Sequence, residues 1–163
     1  MERHLVVTGL IASGKSTVAD AVANRLGWPH LDSDDQLRSL IGRSGAEIVE
    51  ADGIDQLHSL EEAVLLGALS LDERLVISAA AWVVESPVCR TALTRRATVA
   101  WLDVPVDVAL ERAANSAHRR RIGRDELAEL GARRRPLFAA VADVHLDATR
   151  PVVDLVGAVL DLT

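Results

Sequence analysis

Short apolar runs rich in β-branched residues recur along the chain, and each is followed by a longer stretch in which apolar positions return every three or four residues. LVVTG, HLDSD, RLVISA, TVAWLD and VHLDA read as strands, because branched side chains suit a pleated surface. A run that is apolar without alternation marks a strand covered on both faces. The helical period predicts helices over about 15–26, 34–42, 55–70, 88–95, 105–116, 125–141 and 152–161. In the first of them Val18, Ala21, Val22 and Leu26 share a face, and Gly27 stands where a helix would end. Pro105 and Pro151 stand at helix starts, where a missing N–H costs nothing. Strands alternating with helices predict an α/β domain: a parallel sheet with helices on both faces. No repeat, low-complexity tract or linker interrupts the pattern, so residues 1–163 are expected to form one domain. The polar, basic stretch 116–124, with Gly123 inside it, is the expected mobile excursion.

Composition narrows this picture. Hydrophobic residues make up 49% of the chain, yet there are three Trp, one Phe and no Tyr, so the core must be aliphatic. No apolar run is long enough to cross a bilayer, and the N-terminal one leads into a glycine loop rather than a cleavage site. A cytoplasmic protein without membrane contact is expected. Cys89 is the only cysteine, which excludes an intrachain disulfide and suits a reducing compartment. The formal charge of −6 argues against nucleic acid as a partner. Even so, HRRRIGR and ARRRP gather seven arginines in a short span, which suits a small anionic ligand; a solvated helix face is the other reading.

Lys15 is the only lysine among eighteen basic residues. It lies in GLIASGKS, which fits Gly-x-x-x-x-Gly-Lys-Ser/Thr through Gly9, Gly14, Lys15 and Ser16, between an expected strand and an expected helix. Glycines let the backbone turn tightly so that successive N–H groups face phosphate oxygens. The next helix offers its unpaired N–H groups and positive dipole end to the same anion. Lysine brings a compact charge to the β- and γ-phosphates, a slot that a planar guanidinium fits poorly. Ala12, Ser13 and Thr17 complete the expected phosphate-binding backbone, and the Ser16 hydroxyl is placed for Mg²⁺. In HLDSDD, Asp32 and Asp34 stand two apart at the end of an expected strand, where alternate side chains share a side. Both could face the phosphate loop; capping of the next helix is the competing reading.

Together these segments resemble the shikimate kinase family of small-molecule kinases along nearly the whole chain. HLDSDDQLRSLIGRSGAEIVEADG is similar to the family's Asp-x-Asp segment, LHSLEEAVL to its second segment, and RRRPLF to its Arg-x-Pro-Leu-Tyr signature, which places Arg134 on the signature arginine. DATRPV sits where an adenine-contacting loop would be. The resemblance implies a three-layer P-loop kinase fold with a five-stranded parallel sheet of order 2-3-1-4-5, and a lid at about 113–124. It also implies transfer of the ATP γ-phosphoryl group to a hydroxyl with Mg²⁺, by a monomer or weak homodimer. Lys15 would then steady the β- and γ-phosphates, Ser16 and Asp32 would hold the metal, and Asp34 would bind the acceptor hydroxyl. Arg119 or Arg120 would cover the transferring group, and Arg112 and Arg150 would lie on the nucleotide side.

The acceptor side departs from the family pattern. His58 replaces an arginine that grips the substrate carboxylate, and Ala79, Ala80 and Ala81 replace three glycines. An arginine forks onto a carboxylate; a neutral imidazole cannot. The expected acceptor pocket is formed by Asp34, His58, Ala80 and Arg134, and the expected acceptor is a small polar metabolite other than shikimate. A gluconate-type or nucleoside monophosphate-type kinase, or a nucleotide-binding module without efficient turnover, are the alternatives. His58 could instead sit half-buried beside Glu61 or Glu62. Trp28 and Trp82 are expected in the core or a pocket wall, Trp101 in the core, and Cys89 as a small buried hydrophobe.

Overall fold

Leu5, Val6 and Val7 are each buried, as an unalternating apolar run requires of a central strand covered on both sides. They belong to β1 (His4–Thr8), the middle strand of a computed structural model that describes residues 2–116 and 121–163. The chain continues through α1 (Lys15–Leu26), β2 (His30–Asp32), α2 (Ser33–Ile41), α3 (Gly45–Asp52), α4 (Ile54–Leu69) and β3 (Val76–Ser78). A 3-10 helix (Ala81–Glu85) follows, then α5 (Pro87–Arg96), β4 (Ala97–Asp103), α6 (Val106–Ala114), α7 (Arg124–Val141), β5 (Val144–Asp147) and α8 (Val152–Leu160).

The five strands pair in parallel in the order β2-β3-β1-β4-β5, the expected order. After β1 the chain moves toward β2, then reverses and crosses back through β3 to β4 and β5. Right-handed crossovers put α1 on one face and the helices of the later crossovers on the other. The packing agrees: α1 meets α8, while α5 packs on α4, α7 and β4. The direction reverses beside β1, and in open α/β sheets that point opens a crevice at the carboxyl ends of the strands.

Two elements were not anticipated. The segment between the helices expected at 34–42 and 55–70 contains α3, capped by Ser44 Oγ accepting from the Glu47 N–H at 3.2 Å. Its signal was the Ser-x-x-Glu spacing of a capping box. The apolar segment AWVVE, to which no element was assigned, is the 3-10 helix, and β3 stops at Ser78. The core is aliphatic as expected, with Phe138 and the nearly buried Trp101 stacked at 5.6 Å. Cys89 is buried. Among the described residues, no helix is long and apolar enough to cross a membrane.

Candidate active site

The turn after β1 is held by a close approach. Gly9 has φ 152°, and a Cβ there would lie 2.4 Å from the Leu102 carbonyl oxygen, so only glycine fits beside β4. Gly14 (φ 94°) is the N-cap of α1, and Ala12 takes a left-handed φ of 58°, a conformation that costs a non-glycine residue about 1–2 kcal/mol. The Ser13 N–H donates to the Leu10 carbonyl at 3.3 Å, and its buried hydroxyl packs against Gly9. Ser13 therefore shapes the turn. Lys15 Nζ curls over the loop and donates to the carbonyls of Leu10 (2.8 Å) and Gly9 (3.1 Å). Arg112 donates to Ala12 O and to Ala148 O, both at 3.3 Å, tying the loop to the segment between β5 and α8. Arg150 lies exposed in that segment.

Asp32 closes β2, and its two oxygens do different work. Oδ1 accepts from the Asp35 N–H at 3.1 Å and caps α2. Oδ2 accepts from Ser16 Oγ and, at 2.8 Å, from Ser78 Oγ. The capping and metal-side readings of this residue are thus compatible. Burial alone would push the carboxyl pKa up, but hydrogen bonds from Ser16, Ser78 and the Asp35 N–H, together with nearby His30, outweigh it and hold Asp32 below the usual aspartate value.

Asp34 requires a correction. It is not on the strand: the strand ends at Asp32, and Asp34 lies in the first turn of α2. The strand-alternation argument therefore fails. Asp32 and Asp34 line the same space because a strand end and the helix start that follows it both face the crevice.

Two adjoining cavities occupy that crevice. The smaller, about 130 Å³, is bounded by Lys15, Ser16, Asp32, Ser78 and Ala80. The larger, about 330 Å³, lies beyond it against Asp34, His58, Glu61, Trp82 and Arg134. Ala80 faces the first and Ala81 both. Among Ala79, Ala80 and Ala81 no residue has positive φ, so their methyl groups narrow the space without straining the backbone.

His58 is half-buried, as the reading beside Glu61 or Glu62 expects. Its ring stacks on Trp82 with centroids 4.4 Å apart and planes 6° from parallel. Trp82 is thus a cavity wall, whereas Trp28 lies under the Arg74 guanidinium at 3.9 Å. Arg134 is buried, and its Nε donates to Glu85 Oε2 at 2.6 Å. Glu85 also receives Arg133 Nε at 3.0 Å. Sequence reasoning missed Glu85, Ser78 and His30. Glu85 sits in a segment to which no element was assigned, and the other two were hidden because pairing across β2 and β3 had not been aligned. Arg119 and Arg120 lie outside the described residues, as does the centre of the expected lid.

The comparisons with known proteins bear on this geometry. A family model described as shikimate kinase matches residues 11–161. The chain belongs to the shikimate kinase family. The shikimate kinase of Symbiobacterium thermophilum is 32% identical over 97% of this chain and 94% of that protein. The shikimate kinase of Mycobacterium tuberculosis is 34% identical over 92% of this chain and 86% of that one. The shikimate kinase from Acinetobacter baumannii, solved in complex with shikimate, superposes with a TM-score of 0.92 at 26% identity, covering 99% of this chain and 93% of that one. A gluconokinase from Sinorhizobium meliloti, at TM-score 0.62 and 19% identity over 98% of this chain and 90% of that one, shares the fold. Shikimate kinase family members are ATP-dependent small-molecule kinases, and that places this chain among the enzymes.

Proposed function

We propose that this kinase moves the γ-phosphoryl group of ATP to a hydroxyl of a small polar metabolite seated in the larger cavity. One observation carries the reading: the cavity that holds Lys15, Ser16 and Asp32 opens directly onto one of metabolite size lined by Asp34 and Arg134. The acceptor hydroxyl oxygen bonds to the γ-phosphorus while the bond from that phosphorus to the β–γ bridging oxygen breaks. ADP leaves with the electron pair, and the hydroxyl proton passes to the Asp34 carboxylate and then to solvent. Lys15 offsets charge on the β- and γ-phosphates, and the turn and α1 N-terminus present N–H groups to them. Gly9, Gly14 and the residues from Ala12 to Thr17 form this cradle. Arg112 and Arg150 border the nucleotide, and a lid arginine, Arg119 or Arg120, covers the transferring group.

The oxygens of Ser16 and Asp32 are the hard donors Mg²⁺ takes, and they already meet each other across the crevice. When bound, Mg²⁺ neutralises charge on the phosphate oxygens.

Shikimate itself is a poor acceptor in this reading. His58 stands where the family resemblance places a carboxylate-gripping arginine, and losing a charge-assisted hydrogen bond costs roughly 1.5–3 kcal/mol, about ten- to a hundred-fold in binding. The test is ADP release over a panel of hydroxylated acids, sugars and nucleoside monophosphates. Acceptor-stimulated release that is abolished in Lys15→Ala supports the reading. Tight ATP binding with no stimulation by any compound would instead make this a nucleotide-binding module.

A further inference from the structure

We infer that the acceptor is an uncharged or positively charged hydroxylated ring rather than a hydroxy acid, a deepening that rests on the kinase function proposed above. The cavity carries three features that act together against a carboxylate.

The first is the state of Arg134. Its guanidinium is the deep cation of the cavity among the described residues, and it is already bound to Glu85, Nε to Oε2 at 2.6 Å. Glu85 is mostly buried and is held in place by Arg133 from the other side, Nε to Oε1 at 3.0 Å. Burial pushes the Glu85 carboxyl up, but hydrogen bonds from Arg134 and Arg133 and their two charges outweigh it, so the group stays ionised. An acid entering the cavity would meet a guanidinium whose field is offset by a carboxylate one hydrogen bond away.

The second is the wall that α4 and the 3-10 helix supply. The near-parallel stack of His58 on Trp82 makes the imidazole part of a flat aromatic surface, continued by Leu57 and Ile54. Such a surface takes the C–H face of a ring. A neutral imidazole can offer a single N–H, not the two parallel donors that carboxylate recognition uses.

The third is the sign of the lining. Asp32, Asp34, Asp35 and Glu61 border the larger cavity against Arg38 and Arg134 among the described residues. Hydroxyl and ammonium groups donate to such carboxylates, and with Asp32 given to the metal it is Asp34, Asp35 and Glu61 that face the acceptor. All three point to the same discrimination, built by contacts that exclude the wrong charge as well as favouring the right one.

The experiment compares matched acceptors on the wild-type chain with saturating ATP: shikimate against its methyl ester, and quinate against myo-inositol and streptamine. The readout is kcat/KM for acceptor-dependent ADP release. The methyl ester is expected to exceed shikimate by ten-fold or more, with the polyol or the aminocyclitol above quinate. His58→Arg and Glu85→Gln should each move the shikimate-to-ester ratio toward the acid by about ten-fold. A wild-type ratio of one or above in favour of shikimate overturns the inference and leaves the kinase function standing. A ratio unmoved in a folded His58→Arg variant also overturns it. No stimulation by any of the five compounds, while a sugar or nucleoside monophosphate of the wider panel is phosphorylated, overturns the inference and leaves the kinase function standing; no stimulation by any compound of either panel removes both. The wild-type comparison needs no variant to fold.

Discussion

Ser78 Oγ donates to Asp32 Oδ2 at 2.8 Å, the oxygen that Ser16 also reaches. The two residues are register partners across β2 and β3, so the bond follows from parallel pairing of the two strand ends. Ser78 spends its hydrogen on Asp32, and so His30 Nε2, 2.9 Å away, must be the donor to Ser78 Oγ. This chain of contacts aims Asp32 at Ser16. Ser78→Ala should remove one hydrogen bond to a charged group, about 1.5 kcal/mol or roughly ten-fold. The expected outcome is a ten-fold higher Mg²⁺ requirement for ADP release, with weaker Mn²⁺ binding to the ADP complex by electron paramagnetic resonance. An unchanged metal requirement would show that Asp32 needs no such support.

Lys15→Ala removes the ammonium that faces the phosphates and should lower kcat/KM by about a hundred-fold or more, in the range found for loss of one electrostatic donor. The melting temperature should change far less than the rate, since the hydrogen bonds from Nζ to Gly9 and Leu10 lie within a single turn. Lys15→Arg should also be impaired, because a planar fork does not replace a point charge on a narrow stem. Steady-state kinetics beside thermal unfolding separates the two effects.

Gly9→Ala should destabilise the fold by about 1–3 kcal/mol through overpacking, since the obstacle is the backbone carbonyl of Leu102 and cannot rotate away. Gly67→Ala is the contrasting case. It lies inside α4 with nothing within 4 Å of a new methyl group, so it should stabilise by roughly 0.5–1 kcal/mol. Urea unfolding of the two variants checks both signs.

Glu85→Ala would leave the Arg134 guanidinium buried without its carboxylate, which costs about 3 kcal/mol. Replacing both residues by apolar ones of similar volume should recover most of that loss. A double-mutant cycle in urea measures the difference.

Acid should weaken the fold through Asp32 and Glu85. Each has its folded pKa depressed, so the unfolded chain binds the proton first as pH falls. Their stabilising contribution is complete above the ordinary carboxylate range and is lost as pH drops through their lower folded values. Stability at pH 7 should therefore exceed that at pH 3, and Asp32→Asn should reduce the slope between them. Equilibrium unfolding across that range reads the slope directly.

The phosphate turn was legible from residue types and their spacing alone. Gly9, Gly14, Lys15 and Ser16 stand in one continuous stretch, and local backbone geometry is all such a turn needs. The order of the sheet could be read only through family resemblance, because pairing between strands is not a local property. Asp34 shows the limit most clearly: its place at the site was anticipated for a wrong reason, a strand periodicity that ended two residues too soon. Ser44 and Glu47 announced α3 by their spacing, yet a short helix with one deeply buried residue, Ile48, leaves little periodic trace.

What the chain determined by itself was the anion-binding turn, the aliphatic α/β pattern and the replacement of an expected arginine by His58. What tertiary structure alone decided was the company these residues keep. Glu85 meets Arg134 across 49 positions, His58 lies flat on Trp82, and Ser78 reaches Asp32 from the neighbouring strand. Charge compensation and stacking act through space over a few ångströms, so the character of the acceptor cavity depends on folding that brings distant positions together.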